Sequence, residues 1–233
     1  MVAESGRARY HDYIARVSAP FMAWSPASLS VFALGLALAA GALAAATRWL
    51  GPYPFLVVCL LIFLSGLLDV IDGEVARATH RASLRGDFLD HVFDRYADVA
   101  ILLGLAASGY TIPVLALLAL VSLLLTSYMG TQSQAVGAGR LYGGALARAD
   151  RILILTAVTF LEFDLSLPWP WAPAAPWAHF SWGGVGFTVI DAALVYFVVA
   201  GQLTAAWRAR TVYRRIPPGD GTAGRSPPAS GST

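Results

Sequence analysis

The sequence predicts an all-α, polytopic membrane protein with about six transmembrane helices, preceded by an N-terminal amphipathic helix in the membrane interface. The 233 residues are 57% hydrophobic and 13% charged, with a mean hydropathy of +0.62, which is too apolar for an ordinary soluble domain. The apolar residues form runs of the length that a helix needs to cross a bilayer. Arginine, which replaces lysine throughout, is concentrated in alternate connections between these runs, as expected of a multi-spanning protein.

The segment before the first apolar run, residues 1–24, is polar and basic and is predicted to be cytoplasmic or interfacial. Its larger apolar residues have the spacing of a stripe on a helix that lies in the membrane surface. They are Tyr10, Tyr13, Ile14 and Val17. A flexible charged tail is the alternative for the first few residues. Ser25 and Pro26 then predict the start of the first membrane helix, with the serine as N-cap and the proline at the first helical position.

Six apolar runs predict the membrane helices, which together form one membrane domain over residues 25–211. The predicted helices are 27–46, 54–72, 87–108, 112–129, 147–163 and 185–206. Between the last two, residues 162–184 are rich in proline and tryptophan, which predicts a cap at headgroup level. The tail, residues 212–233, is rich in proline, glycine and serine and is predicted to be a disordered cytoplasmic segment.

The arginines indicate the orientation of these helices. They lie before the first helix, between the second and third, around the connection of the fourth and fifth, and after the sixth: Arg7, Arg9, Arg16, Arg77, Arg81, Arg85, Arg140, Arg148, Arg151, Arg208, Arg210, Arg214 and Arg215. The other connections carry only Arg48. By the positive-inside rule, this pattern predicts a multi-pass protein of the cell membrane with both termini on the cytoplasmic side. The net charge of +2 gives no reason to expect a nucleic-acid partner.

One stretch, residues 69–94, interrupts the apolar pattern with five aspartates. Asp69 and Asp72 are spaced i, i+3, and Asp90 and Asp94 are spaced i, i+4, so each pair lies on one face of a predicted helix. Carboxylates this close together at the end of a membrane helix repel one another and are costly to desolvate. A divalent cation bound by oxygen ligands removes both costs, which favours Mg²⁺, Mn²⁺ or Ca²⁺ over zinc. The stretch is therefore the predicted site, on the cytoplasmic side.

The residues around these aspartates suit chemistry on a phosphoanhydride, which needs a divalent metal to neutralise its charge. Gly73 lets a ligand approach the backbone closely, and Arg77 has the forked guanidinium that binds a phosphate. Gly86 permits a tight turn or a close helix contact ahead of the third span. Asp94 lies deeper than Asp90 and is suited to accept a proton from an attacking hydroxyl. The residues by themselves thus indicate metal-dependent phosphoryl or nucleotidyl transfer at the membrane face.

The spacing of the whole motif resembles the signature of the CDP-alcohol phosphatidyltransferase family at every position. The motif reads Asp69-x-x-Asp72-Gly73-x-x-Ala76-Arg77, eight further residues, then Gly86-x-x-x-Asp90-x-x-x-Asp94. Members of this family also have about six membrane helices, so the resemblance covers all but the tails. It implies transfer of a lipid phosphate from a CDP-linked lipid, such as CDP-diacylglycerol or CDP-archaeol, to the hydroxyl of a small alcohol, with release of CMP. It also implies a homodimer.

The resemblance further assigns roles to individual residues of the motif. The positions that bind Mg²⁺ or Mn²⁺ in the family match Asp69, Asp72, Asp90 and Asp94. The positions that hold the nucleotide and pyrophosphate of the donor match Asp69, Gly73, Arg77 and Ser83. The last aspartate of the motif, Asp94, also matches the residue taken as the catalytic base.

Three arginines after the fourth span concern the acceptor. In family members that use a phosphorylated acceptor, basic residues in this region hold its phosphate, and here they are Arg140, Arg148 and Arg151. The resemblance therefore favours a polyol phosphate, such as inositol phosphate or glycerol phosphate. The sequence departs from that pattern after Ser127 and Tyr128, where residues 129–134 are polar but uncharged. An unphosphorylated acceptor such as serine or inositol, and arginines that serve topology alone, are the alternatives.

Other functions are also compatible with the sequence. Intramembrane acids with positive-inside arginines occur in cation or proton transporters, although neither an internal repeat nor a broken helix is visible here. A family member that has lost activity and serves as a membrane scaffold is the third alternative. Asp87 is predicted to be a helix-start residue or to support the site, and Asp98 to tune the site or pair with Arg95. Asp191, near the outer end of the sixth predicted span, is predicted to be interfacial rather than catalytic. The single cysteine, Cys59, excludes an intramolecular disulfide.

Overall fold

The computed structural model describes residues 14, 16–139, 141, 148–167 and 180–216, and six long helices dominate it. These helices are α1 (Pro26–Leu50), α2 (Phe55–Ala78), α3 (Leu84–Ala107), α4 (Pro113–Ala135), α5 (Arg148–Leu165) and α6 (Val189–Arg215). A short 3₁₀ helix, Ala19–Phe21, precedes α1, and a two-stranded hairpin, β1 (Phe180–Trp182) and β2 (Val185–Phe187), precedes α6. The prediction of an all-α protein with about six long helices is confirmed.

The helices begin where the sequence offers caps. The Ser25 hydroxyl accepts a hydrogen bond from the Ser28 N–H at 3.1 Å, and Pro26 is the first residue of α1. At the start of α6, Thr188 and Asp191 form a capping box in which each side chain accepts a hydrogen bond from the other's backbone N–H. Because these caps satisfy N–H groups that have no partner inside the helix, local sequence sets where α1 and α6 begin.

The start of the sixth predicted span differs from the observed helix. Residues 185–188, which we assigned to that span, instead form β2 and the cap of α6. The cause is the pair Gly183 and Gly184, whose φ angles of +58° and +79° form a two-residue turn. This turn places Trp182 opposite Val185 in the antiparallel hairpin. The extended strand therefore takes up residues whose apolar character alone predicts helix.

At its other end, α6 continues to Arg215, four residues past the predicted boundary at 211. Residues 212–215 are thus helical, because Arg214 and Arg215 in the last turn complement the helix dipole. The rest of the predicted tail, from residue 217, lies outside the described residues. The same holds for most of the segment rich in proline and tryptophan, residues 168–179.

The N-terminal segment contacts the bundle where the structure describes it. Ile14 and residues 16–18 are helical, and Ile14 is buried. Val17 packs against a small apolar cluster shared by α1 and α2, which consists of Leu29, Ala33, Leu68, Ile71 and Val75. Part of the predicted amphipathic stripe therefore packs against the helices of the protein itself. Tyr10 and Tyr13 lie outside the described residues.

The main contacts between helices form a closed ring in the order α1, α2, α5, α6, α4, α3. In the part of the chain that the structure describes, α1, α2, α4 and α6 have the length and apolar composition to cross a membrane. The other two helices, α3 and α5, are not among these candidate spans: α3 carries six charged residues, and α5 carries five within only 18 residues. Each of them lies between two apolar helices in the ring. This arrangement keeps charged side chains within an otherwise apolar bundle.

Small residues set the distance between α1 and α3. The buried stripe of α1 includes Ala33, Ala37, Ala40, Gly41 and Ala44. A Cβ atom added to Gly41 would overlap the carbonyl oxygen of Ala100, and one added to Gly104 would overlap the carbonyl oxygen of Gly41. The two backbones therefore touch at this crossing, as is common for membrane helices that meet through small residues. The crossing fixes α3, with its aspartates, against α1.

Consecutive helices run in opposite directions, so the bundle has two distinct ends. We define the aspartate end by the starts of α1, α3 and α5 and the ends of α2, α4 and α6. At the opposite end, the Thr47 hydroxyl donates to the Ser108 carbonyl oxygen at 3.2 Å, and the rings of Phe55 and Tyr110 meet edge to face. Among the arginines that the structure describes, Arg48 alone lies at this opposite end.

Candidate functional site

A cleft of about 660 Å³ opens at the aspartate end, between α1, α2 and α3. It exists because α2 and α3 both pack mainly against α1 rather than against each other. The start of α1, the end of α2 and the first turns of α3 form its walls. The polar residues that line it are Ser25, Ser30, Asp69, Asp72, Arg77, Arg81, Ser83, Arg85, Asp87 and Asp90. The cleft thus gathers residues from both halves of the sequence motif.

Three of the four predicted metal ligands converge in this cleft. Asp69 and Asp72 from α2 and Asp90 from α3 each offer one carboxylate oxygen, and the three oxygens lie within 4.8 Å of one another. Charges at that separation repel by about 3 kcal/mol per pair at an effective dielectric constant of about 20. A shared divalent cation relieves this repulsion, and a donor set made only of oxygen suits Mg²⁺ or Mn²⁺. The residues present therefore fit the predicted metal.

Asp72 is held in place from α1. It is only 6% exposed, and the Ser30 hydroxyl donates a hydrogen bond to its Oδ2 atom at 2.5 Å. Ser30 was not among the predicted site residues, and it lies 42 residues before Asp72 in the chain. A signal was present, since Ser30 continues the small-residue stripe of α1 at helical spacing from Ala33 and Ala37. Ser30 thus orients a carboxylate that it precedes by a whole helix.

Asp94, the fourth predicted ligand, is not one of these three residues, but it contacts Arg148 together with Asp69. The Nη1 atom of Arg148, the first residue of α5, lies 2.5 Å from Asp69 Oδ2 and 2.5 Å from Asp94 Oδ1. The same nitrogen lies 3.7 Å from Asp90 Oδ1. One guanidinium therefore joins carboxylates of α2 and α3. We predicted Arg148 as an acceptor residue but not this contact, because no local pattern indicates that α5 lies beside α2.

A further group of ion pairs lies one helical turn beyond Asp94. The Nη2 atom of Arg151 is 3.3 Å and 3.2 Å from the two carboxylate oxygens of Asp98. Arg95 Nη1 is 3.2 Å from Asp98 Oδ2, so the predicted pairing of Asp98 with Arg95 is present. Arg151 is thus a second partner of the same carboxylate. The side chain of Arg151 is only 8% exposed. Arg140, the third predicted acceptor residue, lies outside the described residues.

The residues predicted to hold the donor line the same cleft. The Arg77 side chain is 64% exposed, and its Nη2 atom lies 2.9 Å from Glu74 Oε2, a pair that solvent screens. The Ser83 hydroxyl is the N-cap of α3 and accepts a hydrogen bond from the Gly86 N–H at 3.1 Å. A Cβ atom added to Gly73 would lie 3.4 Å from Arg77 Nη1, so glycine leaves the space between backbone and guanidinium open. This surface suits a phosphate group.

Asp87 lies at the rim of the cleft, in the first turn of α3. A carboxylate there complements the positive end of the helix dipole, which agrees with the predicted helix-start role. The ring of His91 lies one turn away, with Nδ1 2.7 Å from the Asp87 carbonyl oxygen. In the part of the chain that the structure describes, the candidate metal-binding group consists of carboxylates alone.

Asp191 and Glu162 form a second set of buried acids, at the opposite end of the bundle. Asp191 accepts hydrogen bonds from the Ile112 N–H at 2.8 Å and the Thr188 N–H at 3.1 Å. Glu162 accepts from backbone N–H groups at the start of α6. Asp191 lies at the outer end of α6, where it was predicted to be interfacial, and it is buried because the starts of α4 and α6 supply donors for its carboxylate. The carboxylates of Asp191 and Glu162 therefore accept hydrogen bonds from backbone N–H groups at the starts of α4 and α6.

The ion pairs at the aspartate end leave an excess of negative charge. Five carboxylates face three guanidinium groups among residues in mutual contact: Asp69, Asp72, Asp90, Asp94 and Asp98 against Arg95, Arg148 and Arg151. Uncompensated charge at the end of a membrane bundle is unfavourable. One divalent cation would balance the two remaining charges, so the charge balance and the donor set lead to the same conclusion.

Comparison with known sequences extends the resemblance beyond the motif. A sequence model of the CDP-alcohol phosphatidyltransferase family matches residues 23–190, which include α1 to α5 and the first residues of α6. The chain is 34% identical over 156 residues to the archaetidylinositol phosphate synthase of Methanothermobacter thermautotrophicus. That match covers 67% of this chain and 69% of the relative.

Comparison with solved structures concerns the fold. The phosphatidylinositol phosphate synthase of Mycobacterium tuberculosis with CDP-DAG bound has a TM-score of 0.64 and 22% identity, covering 85% of this chain and 94% of that one. The same enzyme with manganese and citrate has a TM-score of 0.64 and 20% identity, covering 86% and 88%. At these identities the likeness establishes the fold alone. The family model, which spans most of the chain, and the archaeal relative together show that this protein belongs to the CDP-alcohol phosphatidyltransferase family.

Proposed function

We propose that this protein transfers a lipid phosphate from a CDP-linked lipid to the hydroxyl of a polyol phosphate, with release of CMP. Family membership supports the reaction class. The relatives, an archaetidylinositol phosphate synthase and a phosphatidylinositol phosphate synthase, favour an inositol phosphate as the acceptor. The observation that carries the proposal is the convergence of Asp69, Asp72 and Asp90 in a cleft at one end of a membrane bundle.

In this proposal the carboxylates of the cleft hold Mg²⁺ or Mn²⁺. Asp69, Asp72 and Asp90 are placed to do so together, and Asp94 is the fourth ligand that the family motif implies. A bound divalent metal supplies the positive charge that neutralises a pyrophosphate and the charge that develops on transfer. The manganese in a solved structure of the same fold supports this choice of metal. Ser30 fixes the orientation of Asp72 for this purpose.

The donor lies along the cleft between α1, α2 and α3. Arg77 binds its pyrophosphate with a forked guanidinium, while Gly73 and Ser83 leave room for the nucleotide to approach the backbone. Val31 and Leu89 also line the cleft, and both are exposed apolar residues. The cleft surface therefore changes from charged to apolar. Such a surface lets the lipid chains stay in the bilayer while the headgroup reaches the aspartates.

The acceptor lies on the side of Arg148 and Arg151, which bind its phosphate together with Arg140. Asp94 takes the proton of the acceptor hydroxyl as the oxygen attacks the phosphorus on the lipid side of the pyrophosphate. The bond to CMP breaks, and CMP leaves with the electron pair of that bond. Asp94 contacts Arg148, so the group that accepts the proton and the group that binds the acceptor phosphate are neighbours. Catalysis then depends on positioning and electrostatics.

The orientation in the membrane is part of the proposal. The aspartate end and both termini face the cytoplasm, because arginines are retained on that side and Arg48 is the exception among the described ones. A single cysteine introduced at Ser25 of a Cys59→Ala protein should react with a membrane-impermeant thiol reagent only after the cells are opened. A cysteine introduced at Pro52, at the other end, should react in intact cells. The reverse pattern would overturn this orientation.

The homodimer that the family resemblance implies also belongs to the proposal. Light scattering of the purified protein in detergent, with the detergent mass subtracted, should give twice the mass of the 233-residue chain. A mass equal to one chain across the range of protein concentrations would reject the dimer. The reaction itself does not depend on this result.

The experiment that tests the reaction is CMP release by the purified protein in liposomes that contain a CDP-lipid and Mg²⁺. Inositol phosphate, glycerol phosphate, serine and inositol are supplied separately. We expect release with inositol phosphate, and its loss in Asp94→Asn. Asp150→Asn is the matched control, because it removes an exposed carboxylate at the same end of the bundle from a residue that is not among those lining the cleft. Release with serine or inositol alone would identify that compound, instead of a polyol phosphate, as the acceptor. No release with any acceptor would reject the enzyme function.

A further inference from the structure

Arg148 contacts carboxylates of two helices at once. Its Nη1 atom lies 2.5 Å from oxygens of both Asp69 and Asp94 and 3.7 Å from Asp90. Asp69 belongs to α2, whereas Asp90 and Asp94 belong to α3. One positive charge is therefore shared by several carboxylates, as the charge of a bound metal ion is.

Two of these partners belong to the candidate metal group as well. Asp69 and Asp90 offer oxygens to that group together with Asp72, and both also contact Arg148. Divalent Mg²⁺ or Mn²⁺ requires oxygens at about 2.1 Å in a near-octahedral arrangement. A guanidinium that presses on the same carboxylates repels the ion and restricts the oxygens it needs. The arginine and the metal therefore compete for the same side chains.

The position of Arg148 in the fold permits the guanidinium to move. Arg148 is the first residue of α5, where the helix dipole disfavours a cation, so the carboxylates rather than the helix hold it. Its side chain is 30% exposed, whereas that of Arg151 is 8% exposed. Arg151 also contacts both oxygens of Asp98, away from the metal group. Of the two arginines, Arg148 is the one whose partners a metal would take.

We propose that Arg148 is a built-in competitor of the catalytic metal. It neutralises Asp69 and Asp94 until a divalent cation binds, and the cation then displaces the guanidinium towards the acceptor side, where it binds the acceptor phosphate. The inference rests on the proposed function for the metal and for a phosphorylated acceptor. It adds an order to the reaction, because the acceptor's phosphate gains this arginine only after the metal has bound.

Metal binding by the purified full chain in detergent, without substrates, tests the competition. Mn²⁺ is titrated and its free fraction is followed by electron paramagnetic resonance. Arg148→Met should bind Mn²⁺ at least about tenfold more tightly than the natural protein, a gain of about 1.4 kcal/mol. Arg148→Lys, which keeps the charge, should remain close to the natural protein. Arg151→Met is the matched control and should leave the Mn²⁺ affinity unchanged.

Thermal unfolding of the same proteins separates competition from a merely structural ion pair. Arg148→Met should lower Tm in a chelator, because its carboxylates lose their counter-charge, and saturating Mn²⁺ should restore it. Arg151→Met should lower Tm with and without Mn²⁺, since the metal does not reach Asp98. A Tm of Arg148→Met that stays low in Mn²⁺ would overturn the proposal.

Chemical labelling of the natural protein tests the displacement without any variant. Phenylglyoxal modifies accessible arginines, and mass spectrometry locates the product. Mn²⁺ should raise the rate of labelling at Arg148 several-fold, and Arg151 should remain protected in both conditions. Slower or unchanged labelling of Arg148 in Mn²⁺ would contradict the displacement.

The outcomes also separate this inference from the proposed function. If the natural protein binds Mn²⁺ and releases CMP while Arg148→Met binds Mn²⁺ no more tightly, the competition is rejected and the enzyme function stands. If neither protein binds Mn²⁺ and no CMP is released, both are rejected. Tight Mn²⁺ binding that appears only in Arg148→Met would support the competition directly.

Discussion

Replacement of Gly41 by alanine should force α1 and α3 apart. The added Cβ would overlap the Ala100 carbonyl oxygen and lie 2.6 Å from its carbonyl carbon. Both atoms belong to the backbone, so no side-chain rotation can relieve the contact. A normal carbon–carbon contact of about 3.5 Å requires the helices to separate by about 1 Å, and a gap of that size forfeits up to about half of the local dispersion energy.

The size of the effect follows from two opposing contributions. Overpacking of a well-packed contact costs about 1–3 kcal/mol, and a clash between two backbones belongs at the upper end of that range. Alanine is a better helix former than glycine by about 1 kcal/mol, which offsets part of this cost. The expected net loss in the free energy of unfolding is about 2 kcal/mol, or about thirtyfold in the folding equilibrium.

Gly35 provides the matched control on the same helix. A Cβ atom added there meets no atom within 4 Å, so only the helix propensity changes. Gly35→Ala should therefore stabilise the protein by up to about 1 kcal/mol, opposite in sign to Gly41→Ala. The two variants remove the same residue type from one helix and differ in what the new methyl group meets.

Unfolding in mixed micelles with increasing dodecyl sulfate measures both variants. Cys59 is the only cysteine and is buried, so a thiol-reactive fluorophore reports its exposure as the protein unfolds. CMP release should also fall in Gly41→Ala, because α3 carries Asp90 away from the carboxylates of α2. Equal stability of Gly41→Ala and Gly35→Ala would refute the close crossing of α1 and α3.

Three further predictions concern the site and the opposite end of the bundle. Ser30→Ala removes the hydrogen bond to the Asp72 carboxylate and should raise the Mg²⁺ concentration for half-maximal CMP release about tenfold. Ser28→Ala, at an exposed position of the same helix, should leave this concentration unchanged, and equal values for the two variants would contradict the orienting role of Ser30. Asp191→Ala leaves two backbone N–H groups unpaired and should lower the free energy of unfolding by about 3 kcal/mol. The Mn²⁺ affinity of this variant should be unchanged, and a changed affinity would show that the two ends of the bundle are coupled. Chelation of divalent ions should abolish CMP release, and Mg²⁺ or Mn²⁺ should restore it; activity that persists in the chelator would exclude a metal-dependent reaction.

The parts of the site that share a helix could be predicted from the sequence. Asp69 and Asp72 lie one turn apart on α2, as their spacing requires, and Asp90 lies on α3, the next helix. Helical periodicity is a local property, and the apolar runs are long enough to make the helices unambiguous. The sequence therefore predicts which carboxylates share a face. It also predicts their need for a counter-charge, since acids are rare in membrane helices.

The contacts between distant segments could not be predicted in the same way. The approach of Arg148 to Asp69 depends on α5 lying next to α2, and that order follows from side-chain packing around the whole ring. Ser30 reaches Asp72 because α1 packs closely against α2, where the Ser65 hydroxyl also donates a hydrogen bond to the Ala33 carbonyl oxygen at 2.8 Å. Spacing along the chain carries no information on either contact. Residues such as Ser30 and Arg148, which contact the aspartates from other helices, therefore lie outside the aspartate motif.

Local signals also account for the error at the start of α6. Gly183 and Gly184 between Trp182 and Val185 are a typical two-residue hairpin turn, and Thr188-x-x-Asp191 has the form of a capping box. The prediction of a span from residue 185 followed the length of the apolar run and did not take account of these two signals. The same capping box explains the burial of Asp191, which hydropathy alone places at a membrane surface.

The position of the cleft has a consequence for the membrane as a whole. It opens at the aspartate end, while the opposite end is held together by Asp191 and Glu162 at the starts of α4 and α6. A lipid substrate reaches such a cleft from one leaflet and returns to that leaflet as product. Each turnover therefore replaces donor lipid by a new phospholipid on a single side. Without a separate protein that moves lipids across, the two leaflets therefore become unequal in composition, while this step leaves the number of lipids in each leaflet unchanged.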